Sequence, residues 1–217
     1  MVSFKKLAAV AAGAVLAMGV ASASASVIDF TKATTGTTGT VLGGTVNWTM
    51  TANGILNNSQ AFDGKTTPVG SPLSFETDGY GVGAKDDEIT NSQKLKEVIT
   101  LTFDKPTLID AIYFLDLFVS RKDGSKEVGV ATFDGLNSVF LTATDLANTG
   151  SGYVAATFAP ILAKVISFTV LDTNDAYGYA DGALAGVGIA PVPVPAAGLL
   201  MVGGLGGLAA LRRRKKA

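Results

Sequence analysis

An all-β fold, an antiparallel sandwich of two packed layers, is what this sequence predicts, and three observations predict it. Apolar and polar residues alternate with a period of two in segments such as Val98-Ile99-Thr100-Leu101-Thr102-Phe103, where Ile99, Leu101 and Phe103 share one face. Such segments recur at roughly 8–12-residue spacing, separated by glycine, asparagine and aspartate turns. Helical periodicity is scarce through the middle of the chain. About eight to ten short strands suit a jelly-roll-like β-sandwich.

Taken in order, residues 31–40 contain two glycines and six threonines and read as loop or edge. Residues 40–51 are rich in threonine and β-branched residues and bend at Gly43-Gly44. The strand 98–103 should close at Asp104-Lys105-Pro106 as a turn. Residues 109–119 are apolar on both faces, which suits a central strand of a two-layer structure. Arg121 to Ser125 makes a polar hairpin-type loop, and segments 127–133, 138–142, 153–158, 165–171 and 184–189 complete the strands. Segments 92–97 and 144–147 are each expected to give a turn or two of helix.

The two ends carry addresses. Lys5 and Lys6, the uncharged apolar stretch 7–20 and Ala21-Ser22-Ala23-Ser24-Ala25-Ser26 have the three parts of a secretory signal peptide. Cleavage is expected after Ala25 or Ala23, leaving 1–25 as the signal helix. At the other end, Val192-Pro193-Val194-Pro195-Ala196 precedes an uncharged apolar run to Leu211 and a basic stop of Arg212, Arg213, Arg214, Lys215 and Lys216. As a helix the sixteen residues from Ala196 span about 24 Å, short of the roughly 30 Å hydrocarbon thickness. The five terminal cations should stay cytoplasmic and leave the central domain outside.

This tail resembles the VPLPA-CTERM sorting signals of Gram-negative bacteria, relatives of the PEP-CTERM class, with Val194 where leucine is usual. The resemblance covers about the last 27 residues, 191–217. It implies recognition by an exosortase-type membrane protease, removal of the transmembrane tail and delivery to the cell surface or extracellular matrix. A second, looser resemblance joins Asp78-Gly79-Tyr80-Gly81-Val82-Gly83-Ala84-Lys85-Asp86-Asp87-Glu88-Ile89 and the strands that follow to the jelly-roll domains found ahead of such tails. The expected partners are therefore the secretion machinery, signal peptidase, the exosortase-type enzyme and a surface polysaccharide.

Composition then excludes whole classes of chemistry. Between the two addresses lie residues 26–190, with all 18 carboxylates but ten of the 17 cations, a net charge of −8 that the near-neutral total conceals. Such a domain repels nucleic acid. The chain has no cysteine and no histidine, which removes disulfides, thiol nucleophiles, Ser-His-Asp triads and ordinary zinc sites. An enzyme here would depend on carboxylates, tyrosine or lysine, and no motif selects a carboxylate pair. The sequence reads as non-catalytic.

Two oxygen-rich loops are candidates for a structural calcium site. Asp86, Asp87 and Glu88 form the densest acidic cluster, and Asp172, Asn174, Asp175 and Asp181 lie near the last strand. They are expected to meet at one end of the sandwich. Trp48, Tyr80, Tyr153, Tyr177 and Tyr179 are candidates to stack on sugars if exposed. The reading is an exported, non-catalytic protein with a structural or carbohydrate-binding role. A permanently anchored envelope protein and a carboxylate-based polysaccharide-degrading enzyme are the alternatives.

Overall fold

The computed structural model describes residues 26–171 and 179–191, which belong to one compact unit. No helix occurs among the described residues, and so none that is long and apolar enough to cross a membrane. The signal segment, the sorting motif and basic stop, and Asp172, Asn174 and Asp175 lie outside the described residues.

Among the described residues fourteen strands follow one another. The first five are β1 (Ser26–Asp29), β2 (Thr38–Val41), β3 (Val46–Ala52), β4 (Leu56–Asn57) and β5 (Gly81–Val82). Next come β6 (Asn91–Ser92), β7 (Ile99–Leu115), β8 (Phe118–Val119), β9 (Val128–Phe133) and β10 (Asn137–Thr142). The chain continues through β11 (Asp145–Leu146), β12 (Val154–Val170), β13 (Tyr179–Ala180) and β14 (Ala183–Ile189). Eight of them form one sheet in the order β1-β14-β7-β12-β9-β10, with β3 also on β7 and β2 on β3. All its pairings are antiparallel.

The two 17-residue strands, β7 and β12, turn this single sheet into two layers. The first half of β7 pairs with β3, from Ala52↔Ile99 to Trp48↔Phe103. Its second half pairs with β14, from Ile189↔Ile109 to Ala183↔Leu115. β12 follows β7 throughout, with register shifts between Thr157 and Ile161 and between Ala163 and Val165. Strands that change layer through bulges make the corners of sandwiches. The result faces Phe114 in the second half of β7 toward Phe168 in the second half of β12, with ring centroids 6.4 Å apart. Across the same interior, Phe30 meets Trp48 edge-on at 5.7 Å.

Asp104-Lys105-Pro106 is therefore no turn. It lies inside β7, opposite the second register shift, where the chain passes from its pairing with β3 to its pairing with β14. At such a bulge the missing Pro106 N–H costs no ladder bond. Segments 153–158 and 165–171, expected as two strands, belong to one continuous β12 apart from Tyr153 and Leu171. The expected helical turns are likewise absent: Asn91–Ser92 and Asp145–Leu146 are short strands, and Ser92 and Lys94–Leu95 close an ST-type turn on the Ser92 hydroxyl. Serine competes for the backbone in this way and disfavours helix.

The core between the layers is aromatic and aliphatic, with Phe30, Phe103, Phe114, Phe133 and Phe168 all fully buried. A smaller cluster packs on the opposite side of β7's second half, where Leu73, Ala111, Tyr113 and Leu115 gather Phe62, Phe75 and Tyr153. The second half of β7 is thus covered on both faces, as its unbroken apolar run predicts.

Candidate functional site

An acidic pocket of about 320 Å³ lies where the end of β7 meets the loops before and after β5. Asp63, Asp78, Asp87, Glu88 and Asp116 line it together with Gln60, Lys65 and Asn148. Three parts of the chain bring these carboxylates: the loop at Asp63, the segment 78–89 and the end of β7 at Asp116.

Asp78 and Asp87 are set by the segment 78–89. Tyr80, Val82 and Ile89 are buried in the main core, so the chain between them loops over the sheet end and brings Asp87 and Glu88 to the pocket. Tyr80 exchanges two backbone hydrogen bonds with Leu184 of β14, at 2.9 and 3.0 Å, and its hydroxyl donates to the Thr35 carbonyl at 2.9 Å. Residues 87–88 then cross directly over Gly81: a Cβ there would lie 1.9 Å from the Asp87 carbonyl carbon. Only glycine permits that crossing.

Asp116 follows the last residue of β7 in a left-handed conformation, φ 59°, which aspartate tolerates better than most residues. Its N–H donates to the Ser151 carbonyl, and Gly152 approaches so closely that a Cβ would sit 2.7 Å from the Asp116 Cα. Asp63 is exposed, and its N–H donates to Asp78 Oδ1 at 3.2 Å. Beside it Phe62 packs on Phe75, and Phe75 on Tyr153, which fastens this loop to the back of β7.

The electrostatics are one-sided. Burial pushes Asp116 up to about 9, and the charges of Asp78, Glu88, Asp63 and Asp87 add to the rise. Asp78 is raised to about 7, first by burial; the hydrogen bond from the Asp63 N–H opposes this, and the charges of Asp63 and Asp87 reinforce it. Asp87 is raised by burial against the bond it accepts from Gln60 Nε2, at 2.7 Å. Burial also raises Glu88, with Asp181 the next contributor, and it raises Glu127, which Asp181 again reinforces. Every charge acting on Asp78, Asp87 and Asp116 is thus another carboxylate.

One oxygen from each of Asp63, Asp78 and Asp116 falls within 4.8 Å of the others. A single oxygen-ligated ion bridges such a span, since Ca²⁺–O distances run 2.3–2.6 Å.

Of the residues expected to ligate a metal, Asp87 and Glu88 line the pocket. Asp86 turns its Oδ1 back to the Glu88 N–H at 3.2 Å, a local turn, and does not line it. Asp181 sits beside Glu127, whose carboxylate accepts the Asp181 N–H. Asp63, Asp78 and Asp116 are not among the ligands the sequence suggests. The last has a legible signal, a lone carboxylate within the apolar run 109–119 apart from Asp110 at its start. As for the aromatics, Trp48 and Tyr80 are 5% exposed and belong to the core, so neither offers a face to sugar. Tyr153 is half-buried against Tyr113 and Phe75. Tyr177 and the side chain of Tyr179 lie outside the described residues.

A second surface lies on the outer face of the other half of the sheet. Thr51, Thr100, Ser167, Thr132 and Ser138 stand directly opposite one another across five strands. A parallel row holds Thr38, Thr49 and Thr102. These side chains are exposed or half-buried, while their strand neighbours Met50, Leu101, Ile166 and Phe133 fill the core. Neighbouring strands are about 4.8 Å apart, so the five-residue row is about 19 Å long. No ionisable residue interrupts either row, and the hydroxyl pair that bonds within them is Thr132–Ser138, at 2.9 Å.

No protein-family model matches this chain, and no curated protein matches it. Among solved structures it is similar to one described as the CBM32-1, CBM32-2 and M60 catalytic domains of ZmpB from Clostridium perfringens. The identity is 16%, over 65% of this chain and 14% of that one, with a TM-score of 0.32. A likeness at that level carries no argument about fold or function.

Proposed function

We propose that this chain is an exported, non-catalytic protein of the cell surface or extracellular matrix, whose jelly-roll-like sandwich binds neutral polysaccharide through its hydroxyl-bearing outer face. The observation that carries the reading is the charge-free row Thr51–Thr100–Ser167–Thr132–Ser138 on a domain otherwise dense in carboxylates. Solvated sheet faces normally carry charges that keep them unpartnered. Hydroxyls both donate and accept, as sugar hydroxyls do, and a neutral polymer meets no charge to desolvate. The reading as an exported protein rests on the signal-like N-terminus and the VPLPA-CTERM-like tail.

Two measurements test it. The full-length chain is expected to co-sediment with at least one insoluble neutral polysaccharide among cellulose, chitin and curdlan. Thr51→Lys with Ser138→Lys, which adds one charge at each exposed end of the row, should reduce retention at least tenfold without lowering the melting temperature. Retention on none of the three, or equal retention of the variant, ends the polysaccharide assignment. Separately, intact mass of the protein isolated from its native membrane and surface fractions should lack Arg212 to Lys216. Recovery of the complete basic end would instead favour a permanent anchor.

A further inference from the structure

We infer that Phe140 is the aromatic platform of the hydroxyl face: its ring stacks on the C–H face of a pyranose while Ser138 and Thr132 bond the hydroxyls at the sugar's edge. The polymer so selected is β-linked with equatorial ring substituents. The inference rests on the polysaccharide reading and adds to it the contact and the sugar stereochemistry that the contact requires.

Phe140 lies in β10, two residues from Ser138, so both point outward while Val139 and Leu141 turn to the core. Phe140 is 59% exposed, and every other aromatic side chain among the described residues is buried or half-buried. It is not one of the aromatics the sequence suggests for sugar contact, and it alone among the described residues presents an open ring face. A single exposed apolar side chain is ordinary on a protein surface. The company Phe140 keeps is what sets it apart.

Directly opposite Phe140 is Val130, and opposite Val130 is Thr169, an uncharged row that runs beside the hydroxyl row. Val130 alternates with the core residues Ala131 and Phe133 and belongs to neither core cluster, yet it is only 5% exposed. Two residues of an antiparallel strand span about 7 Å, so the apolar row and the hydroxyl row are within reach of one sugar ring. Thr132 and Ser138 bond each other at 2.9 Å, but each hydroxyl carries one hydrogen and two lone pairs, so a hydrogen and several lone pairs stay available. An apolar strip for the ring face beside hydroxyls for the ring edge matches the two kinds of surface that a pyranose presents.

The phenyl face is the negative side of the ring quadrupole and attracts polarised C–H groups. Where the substituents are equatorial, the sugar's faces hold only hydrogens. An axial hydroxyl would be pressed against the phenyl ring and lose its water without gaining a partner. β-Linked glucose and N-acetylglucosamine polymers meet the requirement, and β-mannan, with its axial hydroxyl at C2, does not.

The test compares retention of the full-length chain on the best of the three polysaccharides above with retention on insoluble β-mannan. The parent should be held about fivefold less well by mannan. Phe140→Ala should lower retention on the preferred polymer about tenfold and narrow its preference over mannan. Phe140→Leu, apolar but without a ring, should lose nearly as much, and Phe140→Tyr should keep most of it. All three should melt within a degree or two of the parent, since the side chain is mostly in solvent. Undiminished retention in Phe140→Ala, while Thr51→Lys with Ser138→Lys loses it, overturns this inference and leaves the polysaccharide reading standing. A parent retained on none of the polymers ends both, and equal retention on mannan overturns the stereochemical selection. β10 is the last strand of its sheet, so a second copy is the competing occupant. Self-association in sedimentation velocity that Phe140→Ala abolishes, with retention unchanged, would assign the ring to that contact and overturn the inference.

Discussion

Held in chelator, the protein should melt at a lower temperature at pH 9 than at pH 5. The cause is the set of buried carboxylates whose pKa values lie above the unfolded value of about 3.9. For such a group the stabilisation is complete below the unfolded pKa and is lost as pH climbs through the folded one. Asp78, at about 7, loses its share between roughly pH 4 and pH 7, and Asp116, at about 9, between roughly pH 4 and pH 9. A tenfold change in a group's proton affinity on folding is worth about 1.4 kcal/mol. With allowance for solvent screening and for relaxation of a mutually repelling set, a loss on the order of 3–5 kcal/mol is expected across the window. At about 2–4 °C per kcal/mol for a chain of this size, that is a drop of at least about 6 °C. Asp104, lowered by its hydrogen bond with Asn47, acts in the opposite sense, but its contribution disappears only in acid, outside this window. Scanning calorimetry at the two pH values decides it. A melting temperature that is flat, or that rises toward pH 9, would show that these acids are not buried as described.

Gly81→Ala should destabilise the fold and displace Asp87 and Glu88 from the pocket wall. The added Cβ meets the Asp87 carbonyl carbon and oxygen at 1.9 and 2.1 Å and the Glu88 nitrogen at 2.1 Å, all of them backbone. Nothing flexible can move aside, so residues 87–88 must lift off β5. The bond from the Val82 N–H to the Glu88 carbonyl, 2.9 Å, is then broken or stretched. Overpacking of this kind costs about 1–3 kcal/mol, and a backbone clash belongs at the upper end. Gly36→Ala is the matched control: no atom lies within 4 Å of a Cβ there, and its melting temperature should stay within a degree or two. Equal melting of the two variants would refute the crossing of residues 87–88 over Gly81.

The alternation Ile99-Thr100-Leu101-Thr102-Phe103 is enough to assign a half-buried strand, and the structure puts those apolar residues in the core with the threonines outward. The hairpin around Gly43-Gly44 is equally legible, since both glycines take positive φ between β2 and β3. Asp104-Lys105-Pro106 misleads because its composition is that of a turn, while its role is to carry one strand from layer to layer. That role depends on β3, β14 and β12 pairing with β7 at different heights, which residues 104–106 do not encode. Asp86-Asp87-Glu88 stands out for density, yet density is not convergence: Asp86 bonds back to its own loop, and Asp87 finds its neighbours far along the chain.

Taken alone, the sequence determined the class of fold, the acidity of the central domain and the absence of thiol and imidazole chemistry, because period, charge and composition are properties of residues in order. Only the tertiary structure decided that Asp63, Asp78, Asp87 and Asp116 line one pocket, and that five hydroxyls form a row across five strands. Both are consequences of cross-strand register and of which backbone can pass over a glycine. Those are set by packing between segments distant in the chain, which no local pattern records.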